Sequence, residues 1–305
     1  MGLDPTGIRV EPGDYTWYNP ERTCVTTVDS VPNSSFFTMD ASDGDGFYVW
    51  FNVNSGGVDP APSGRTGIEV AVATGSSASA TASAIATAVD GNADFASVVL
   101  PTDNTIVVIE NIGIPGASAS VGATADGSAA TGFTFEQAYA SSVLQLGFID
   151  GAVEFGATEQ ILDVTAQQFG TQVVDGIRTG VEIPPLSVPM KEVTVARLRE
   201  IVLLGGGTVT PSGGTEVYGY GESKRYGNVL PDTRRLLIHP RRLASTNRVE
   251  DLTMWRAYPV FTGLNFSGEE QQLLNVEFRF FPDQFIDTNV NFFFFGDWQQ
   301  NLLAA

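Results

Sequence analysis

GAVEFGATEQILDVTAQQFGTQVVDGIRTGVEI, residues Gly151 to Ile183, sets how the rest of the chain is read. It contains two candidate strands joined by a loop with no hydrophobic anchor of its own. Val153, Phe155 and Ala157 share one parity, whereas Leu162 and Val164 take the other, so a bulge or bend is expected near Ile161. Ile177, Thr179, Val181 and Ile183 alternate with Gly176, Arg178, Gly180 and Glu182, which predicts a strand whose apolar face meets the core. Pro184 and Pro185 end it. No side chain in the stretch has a catalytic partner nearby. Gln167, Gln168, Phe169, Thr171, Gln172, Asp175 and Arg178 are therefore the candidate contacts to a neighbouring subunit.

The C-terminal side reads as further sheet. In QQLLNVEFRFFPD, Leu274, Val276, Phe278 and Phe280 face one way, and Asn275, Glu277 and Arg279 the other. RRLLIHP and WRAYPVFTGLNF are two more strands, and Gly268-Glu269-Glu270 is a turn. Thr194 can cap a helix reaching Leu204, with Val195, Leu198 and Val202 inward and glycines 205–207 ending it. Phe292, Phe293, Phe294, Phe295 and Trp298 are too apolar for a free tail and must pack on their own domain or on a neighbour.

The N-terminal side changes character. IRVEPGDYTWY (8–18) reads as strand, Pro-Gly turn and strand. From about Arg22 to Ala140 the chain is rich in Ala, Ser, Thr and Gly and has no lysine. Phe47, Val49, Phe51 and Val53 form one face of a strand, and Ile68, Val70 and Val72 mark another. Ser76 or Ser77 caps a helix carrying Ala78, Ala82, Ile85 and Val89, with Gly91 as a left-handed stop. Phe95–Leu100 and Thr105–Ile109 pair across an Asp103-Asn104 turn, and the small-residue run 114–132 is a loop. Residues 23–140 thus form an inserted α+β module, and 1–22 with 141–305 a discontinuous second domain. Both are large enough to bury a core.

Charge and composition restrict the function classes. The net charge is −19. Residues 1–150 hold three basic side chains (Arg9, Arg22, Arg65) against 17 acidic ones, and residues 151–305 hold 13 against 18. Such a chain does not neutralise DNA phosphates. Arg234, Arg235, Arg241, Arg242 and Arg248 are the one basic concentration, read as pairing with acidic neighbours between subunits in preference to a nucleic-acid patch. Cys24 is the single cysteine, so neither an intrachain disulfide nor a cysteine-held zinc is available. The N-terminal residues lack a basic and an apolar signal region, and no apolar run reaches the roughly 20 residues of a membrane span. A soluble, non-membrane protein is expected.

Signals for chemistry are weak. His239 is the single histidine and reads as a structural residue at a strand end. A Ser/His/Asp site would have to use it, and there is no G-x-S-x-G elbow or Walker lysine. Asp40 to Gly46 resembles a calcium loop, but position 5 would be Gly44 and position 12 Phe51, so it reads as a hairpin turn. No catalytic residue, metal or cofactor is expected.

IRVEPGDYTWY and, after the insert, LGFIDGAVEFGATEQILDVTAQQFGTQVVDGIRTG resemble the tail tube proteins of tailed bacteriophages. The similarity lies in Asp150-Gly151, Asp163-Val-Thr165, Gln168-Phe169-Gly170 and Arg178-Thr179-Gly180, with MKEVTVARLREIV and GEEQQLLNVEFRFFPD downstream. It covers about residues 1–22 and 141–305; residues 23–140 depart from the pattern. The resemblance implies a mainly β protein, a β-sandwich or barrel-like domain with one flanking helix, plus the inserted module. It implies six-membered rings stacked into a hollow tube in the virion, assembled in the host cytoplasm. Terminator, tape measure and baseplate proteins would be partners, and DNA would pass through without specific binding. The alternatives are another tail or neck ring component, or a surface protein using residues 23–140 to bind glycans.

Overall fold

The computed structural model describes residues 8–10, 13–19, 22–113, 132–139, 142–147, 149, 153–165, 173–191, 201, 207–209, 217–219, 228–265, 273–300 and 302–303. Strands β1 (Ile8–Val10) and β2 (Gly13–Asn19) come first. Next are β3 (Arg22–Thr26), β4 (Phe36–Asp40), β5 (Gly46–Val53), β6 (Thr66–Val72), helix α1 (Ala78–Asp90), β7 (Phe95–Val99), β8 (Ile106–Asn111) and β9 (Thr134–Tyr139). Then follow β10 (Ser142–Gln145), β11 (Val153–Phe155), β12 (Thr158–Thr165), β13 (Val173–Glu182), β14 (Leu186–Met190), β15 (Gly207–Val209) and β16 (Val217–Gly219). The last are β17 (Arg234–Pro240), β18 (Leu252–Asn265), β19 (Leu273–Phe281) and β20 (Phe293–Phe295). The protein is mainly β, built on a curled antiparallel sheet that makes a half-barrel.

That sheet runs β10-β2-β17-β18-β19-β14. The long strand β18 serves two partners along one edge: Leu252–Met254 pair with β20, and Arg256–Asn265 pair with β19. The alternation expected in β19 is met, with Leu274, Val276 and Phe278 fully buried. Trp17 lies at the centre, its indole N–H donating to the Ala257 carbonyl at 3.1 Å and its ring 6.3 Å from that of Phe278. Strands β1 and β2 do not form the hairpin that a Pro-Gly turn suggests. β1 pairs with β11, while β2 enters the large sheet between β10 and β17. The helix expected from Thr194 to Leu204 lies outside the described residues except for Ile201, which is buried in this core.

A second core is built by residues 25–109 with Phe133 and Phe135. One sheet runs β7-β8-β3-β9; the other runs β4-β5-β6, with β5 and β6 parallel. Asp40 to Gly46 is the turn of the β4–β5 hairpin. Helix α1 starts where expected: the Ser77 hydroxyl accepts from the Ala80 N–H at 3.2 Å, and Asp29 accepts from the Ala78 N–H at 2.6 Å. It buries Thr81, Ala82, Ile85 and Val89. Gly91 is not the left-handed stop expected. It keeps φ −72° and ψ −8°, and the chain leaves through a further turn in which the Asn92 N–H donates to Val89 at 3.0 Å.

Gly67 shows why one position in β6 carries no side chain. It sits opposite Tyr48 in the ladder, and an added Cβ would lie 2.6 Å from the Tyr48 hydroxyl oxygen. That ring cannot swing clear cheaply, because its hydroxyl donates to Asp59 at 2.5 Å. Gly67→Ala is expected to destabilise the protein by about 1–3 kcal/mol, as overpacking does. Urea unfolding would measure it, and an unchanged midpoint would show that Tyr48 yields without loss.

Candidate assembly surface

Strands β12 and β13 pair antiparallel with one another and with no other strand among the described residues. The register slips between Gln160 and Ile161 and again between Val164 and Thr165, so the expected bulge falls at Ile161. The parity change also has a second source: Val153–Phe155 belong to the separate β1–β11 ladder, buried on the main core.

The expected inward face of β13 is corrected by the structure. Ile161, Leu162 and Ile177 are 57%, 59% and 54% exposed. Leu162 and Ile177 are direct cross-strand neighbours on one face, while Ile161 sits opposite Arg178 on the other. Ile183 packs on the main core as a partly buried side chain. Among the described residues β13 pairs only with β12, outside the large sheet, and no other strand joins the ribbon. Alternation shows that a face is apolar, but not whether this chain covers it.

A two-stranded ribbon is marginal in water by itself, and its free edges invite pairing. Arg178 bridges to Glu159 at 3.0 Å across the ribbon, an exposed pair that contributes little. Asp175 and Arg178, two of the expected contact residues, are exposed on this arm. Gln167, Gln168, Phe169, Thr171 and Gln172 lie outside the described residues.

The phenylalanine run packs mostly on its own domain. The Phe293 ring lies 4.8 Å from that of Phe155, and Phe294 stacks on Trp255 at 5.1 Å. Trp298 is buried edge-on to Tyr18 at 6.1 Å. Phe292 and Phe295 remain 38% and 45% exposed.

The basic cluster is divided: Arg235 is buried, Arg234 and Arg248 are partly buried, and Arg241 and Arg242 are exposed. Arg234 lies over Trp17 at 4.3 Å, Arg242 pairs with Glu250, and Arg248 bonds Gln299 beneath Trp298. Arg235 is buried in a charge network between the two cores. One Glu110 oxygen accepts from Arg235 at 2.6 Å, and the other accepts from Arg22 Nε at 2.8 Å. Arg22 also donates through two nitrogens to Asp283, at 3.3 and 3.1 Å, and Arg256 stands 3.7 Å from the same carboxylate. The guanidinium of Arg235 lies 4.3 Å from the Trp255 ring.

Burial alone would push the Glu110 carboxyl up, but Arg22 and Arg235 outweigh it and hold it below the ordinary range. Asp283 is depressed in the same way by Arg22 and Arg256. These groups fasten β3 and β8 of the inserted module to β17, β18 and the Asp283 turn. The sequence carried a signal for them: in β8, Val107 and Ile109 face the module's core, yet Val108 and Glu110 are buried as well. A strand buried on both faces must have its odd carboxylate paired.

His239, Asp251 and Trp298 line a cleft of 530 Å³ with Tyr15, Arg241 and Arg248 among its other walls. Asp251 accepts from His239 Nδ1 at 2.6 Å and from the Trp298 indole at 3.1 Å. Burial pushes the Asp251 carboxyl up against the pull of His239 and Trp298. Ser245 lines the same cleft, but His239 Nε2 is buried and makes no hydrogen bond to it. The nucleophile–base contact of a Ser/His/Asp site is not made. Among the described residues no cluster of His, Cys, Asp or Glu is arranged to hold a metal, and no helix is long and apolar enough to cross a membrane. Comparison with protein-family models, curated proteins and solved structures finds no match.

Proposed function

We propose that this chain is a structural subunit that polymerises into rings, six-membered and stacked into the hollow tail tube of a bacteriophage virion. The carrying observation is the β12–β13 arm, which bares Ile161, Leu162 and Ile177 on a ribbon that no other strand joins among the described residues. Apolar arms of this kind are stabilised by a partner, and a partner that is another copy leads to closed rings or open filaments. The sequence resemblance supplies the identity of the assembly. The acidic balance suits a channel that DNA crosses without sticking, since like charges repel over about 8 Å at physiological ionic strength. Residues 23–140 would decorate the outside, and the chain would have no enzymatic role.

Negative-stain microscopy and sedimentation of the purified chain test this. Stacked rings or tubes with a central channel are expected. A monomer at every concentration would sink the reading, and a monomer that binds glycans through residues 23–140 would replace it. Deleting residues 23–140 is a poor test in the unmodified chain, because it removes Glu110, the buried partner that Arg22 and Arg235 share. The deletion should be made with Arg235→Leu, while Arg22 keeps Asp283.

A further inference from the structure

We propose that the cleft at His239 is the receptor for a carboxylate carried by the β12–β13 arm of a second copy; this rests on the self-assembly reading above. The first ground is charge complementarity. Residues 158–182 contain four carboxylates, Glu159, Asp163, Asp175 and Glu182, against the single cation Arg178, and all four carboxylates are exposed. The cleft is lined by Arg241 and Arg248, from a segment with no acidic residue between Thr233 and Val249 in a chain of net charge −19. Guanidinium groups suit a carboxylate geometrically as well as by charge.

The second ground is how the cleft is built. Its own acid is already engaged: Asp251 accepts from His239 and from the Trp298 indole. Arg248 is held 5.0 Å above the Trp298 ring and bonded to Gln299, so its position is set before any ligand arrives. Tyr15 and Ser245 add hydroxyl groups, and Leu237 and Trp298 give apolar wall for a neighbouring side chain. The volume of 530 Å³ falls within the range of small-ligand pockets, enough for side chains but not for a whole strand pair. Arm and cleft are different surfaces of one chain, so a one-way contact between them is heterologous and propagates into rings or filaments.

The experiment is sedimentation velocity on the full chain over a concentration series. Arg241→Glu is the first variant, because Arg241 is exposed and its replacement leaves the Trp298 packing in place. Arg241→Glu is expected to raise the concentration needed for assembly about tenfold or more. An arm variant, Asp163→Lys with Asp175→Lys, should do the same, and joining all three changes in one chain should restore assembly. Assembly unchanged in Arg241→Glu overturns the proposal, as does loss without rescue. Calorimetry with free citrate separates the sources: citrate that binds the cleft without competing with assembly also overturns it. If the wild-type chain never assembles, the self-assembly reading itself has failed.

Discussion

Glu110→Ala is expected to lower the unfolding free energy by about 3–5 kcal/mol, the cost of leaving a buried cation without its partner. Arg22 and Arg235 would both lose the carboxylate that separates them. Urea titration followed by tryptophan fluorescence reads this directly. A loss below about 1 kcal/mol would mean that water reaches the guanidinium groups. Replacing the whole group by apolar residues, Arg22→Met with Glu110→Leu and Arg235→Met, should recover much of the loss, because buried ion triads often exchange for apolar packing at little cost. The pH dependence has a definite sign. Both Glu110 and Asp283 have folded-state values depressed from the ordinary 4.5 and 3.8. Their contribution is complete above those values and is lost as the pH falls through the lower folded-state values. Acid unfolding of Glu110→Gln should therefore be shallower than that of wild type.

Leu162→Asp with Ile177→Asp is expected to abolish assembly while leaving monomer stability within about 0.5 kcal/mol, the usual range for exposed positions. Each apolar side chain fully covered on association is worth about 1.5–3 kcal/mol. Removing two is about 3 kcal/mol or more, at least a hundredfold in association. Light scattering against concentration measures the first effect and thermal unfolding of the dilute monomer the second. Normal assembly by the double variant would remove the arm from the interface. A large drop in monomer stability would mean that the arm folds back on its own chain.

Much of the sheet was legible because its strands and caps are specified by local residues. The alternation of β19, the Phe47–Val53 face of β5 and the cap of α1 all follow from local residues. The bulge at Ile161 was legible for the same reason, since a change of parity is a local signal. What failed depended on where an element goes. Ile177 alternates like a core strand, and nothing in its neighbours says that β13 departs from the large sheet. Arg235 read as part of a surface cluster because sequence distance hides Glu110, which lies 125 residues before Arg235 yet bonds to it. The His239–Asp251–Trp298 arrangement was missed likewise, because Trp298 arrives from 47 residues beyond Asp251.

The pairing of β2 with β17 has a consequence for synthesis. Tyr18 must wait for Arg235 before its strand has a neighbour on that side. The inserted module, contiguous from Arg22 to Tyr139, can complete its own core long before the surrounding half-barrel closes. The arm is also made before the body that presents it, so crowded nascent chains would display sticky ribbons early. Glu159, Asp163, Asp175 and Glu182 would then act as gatekeepers, keeping ribbon from ribbon by like charge. The cleft acquires its last wall only when Trp298 packs against Tyr18, so a chain can emit an arm well before it can receive one. Under the proposed self-assembly, ring formation would thereby be timed to finished subunits.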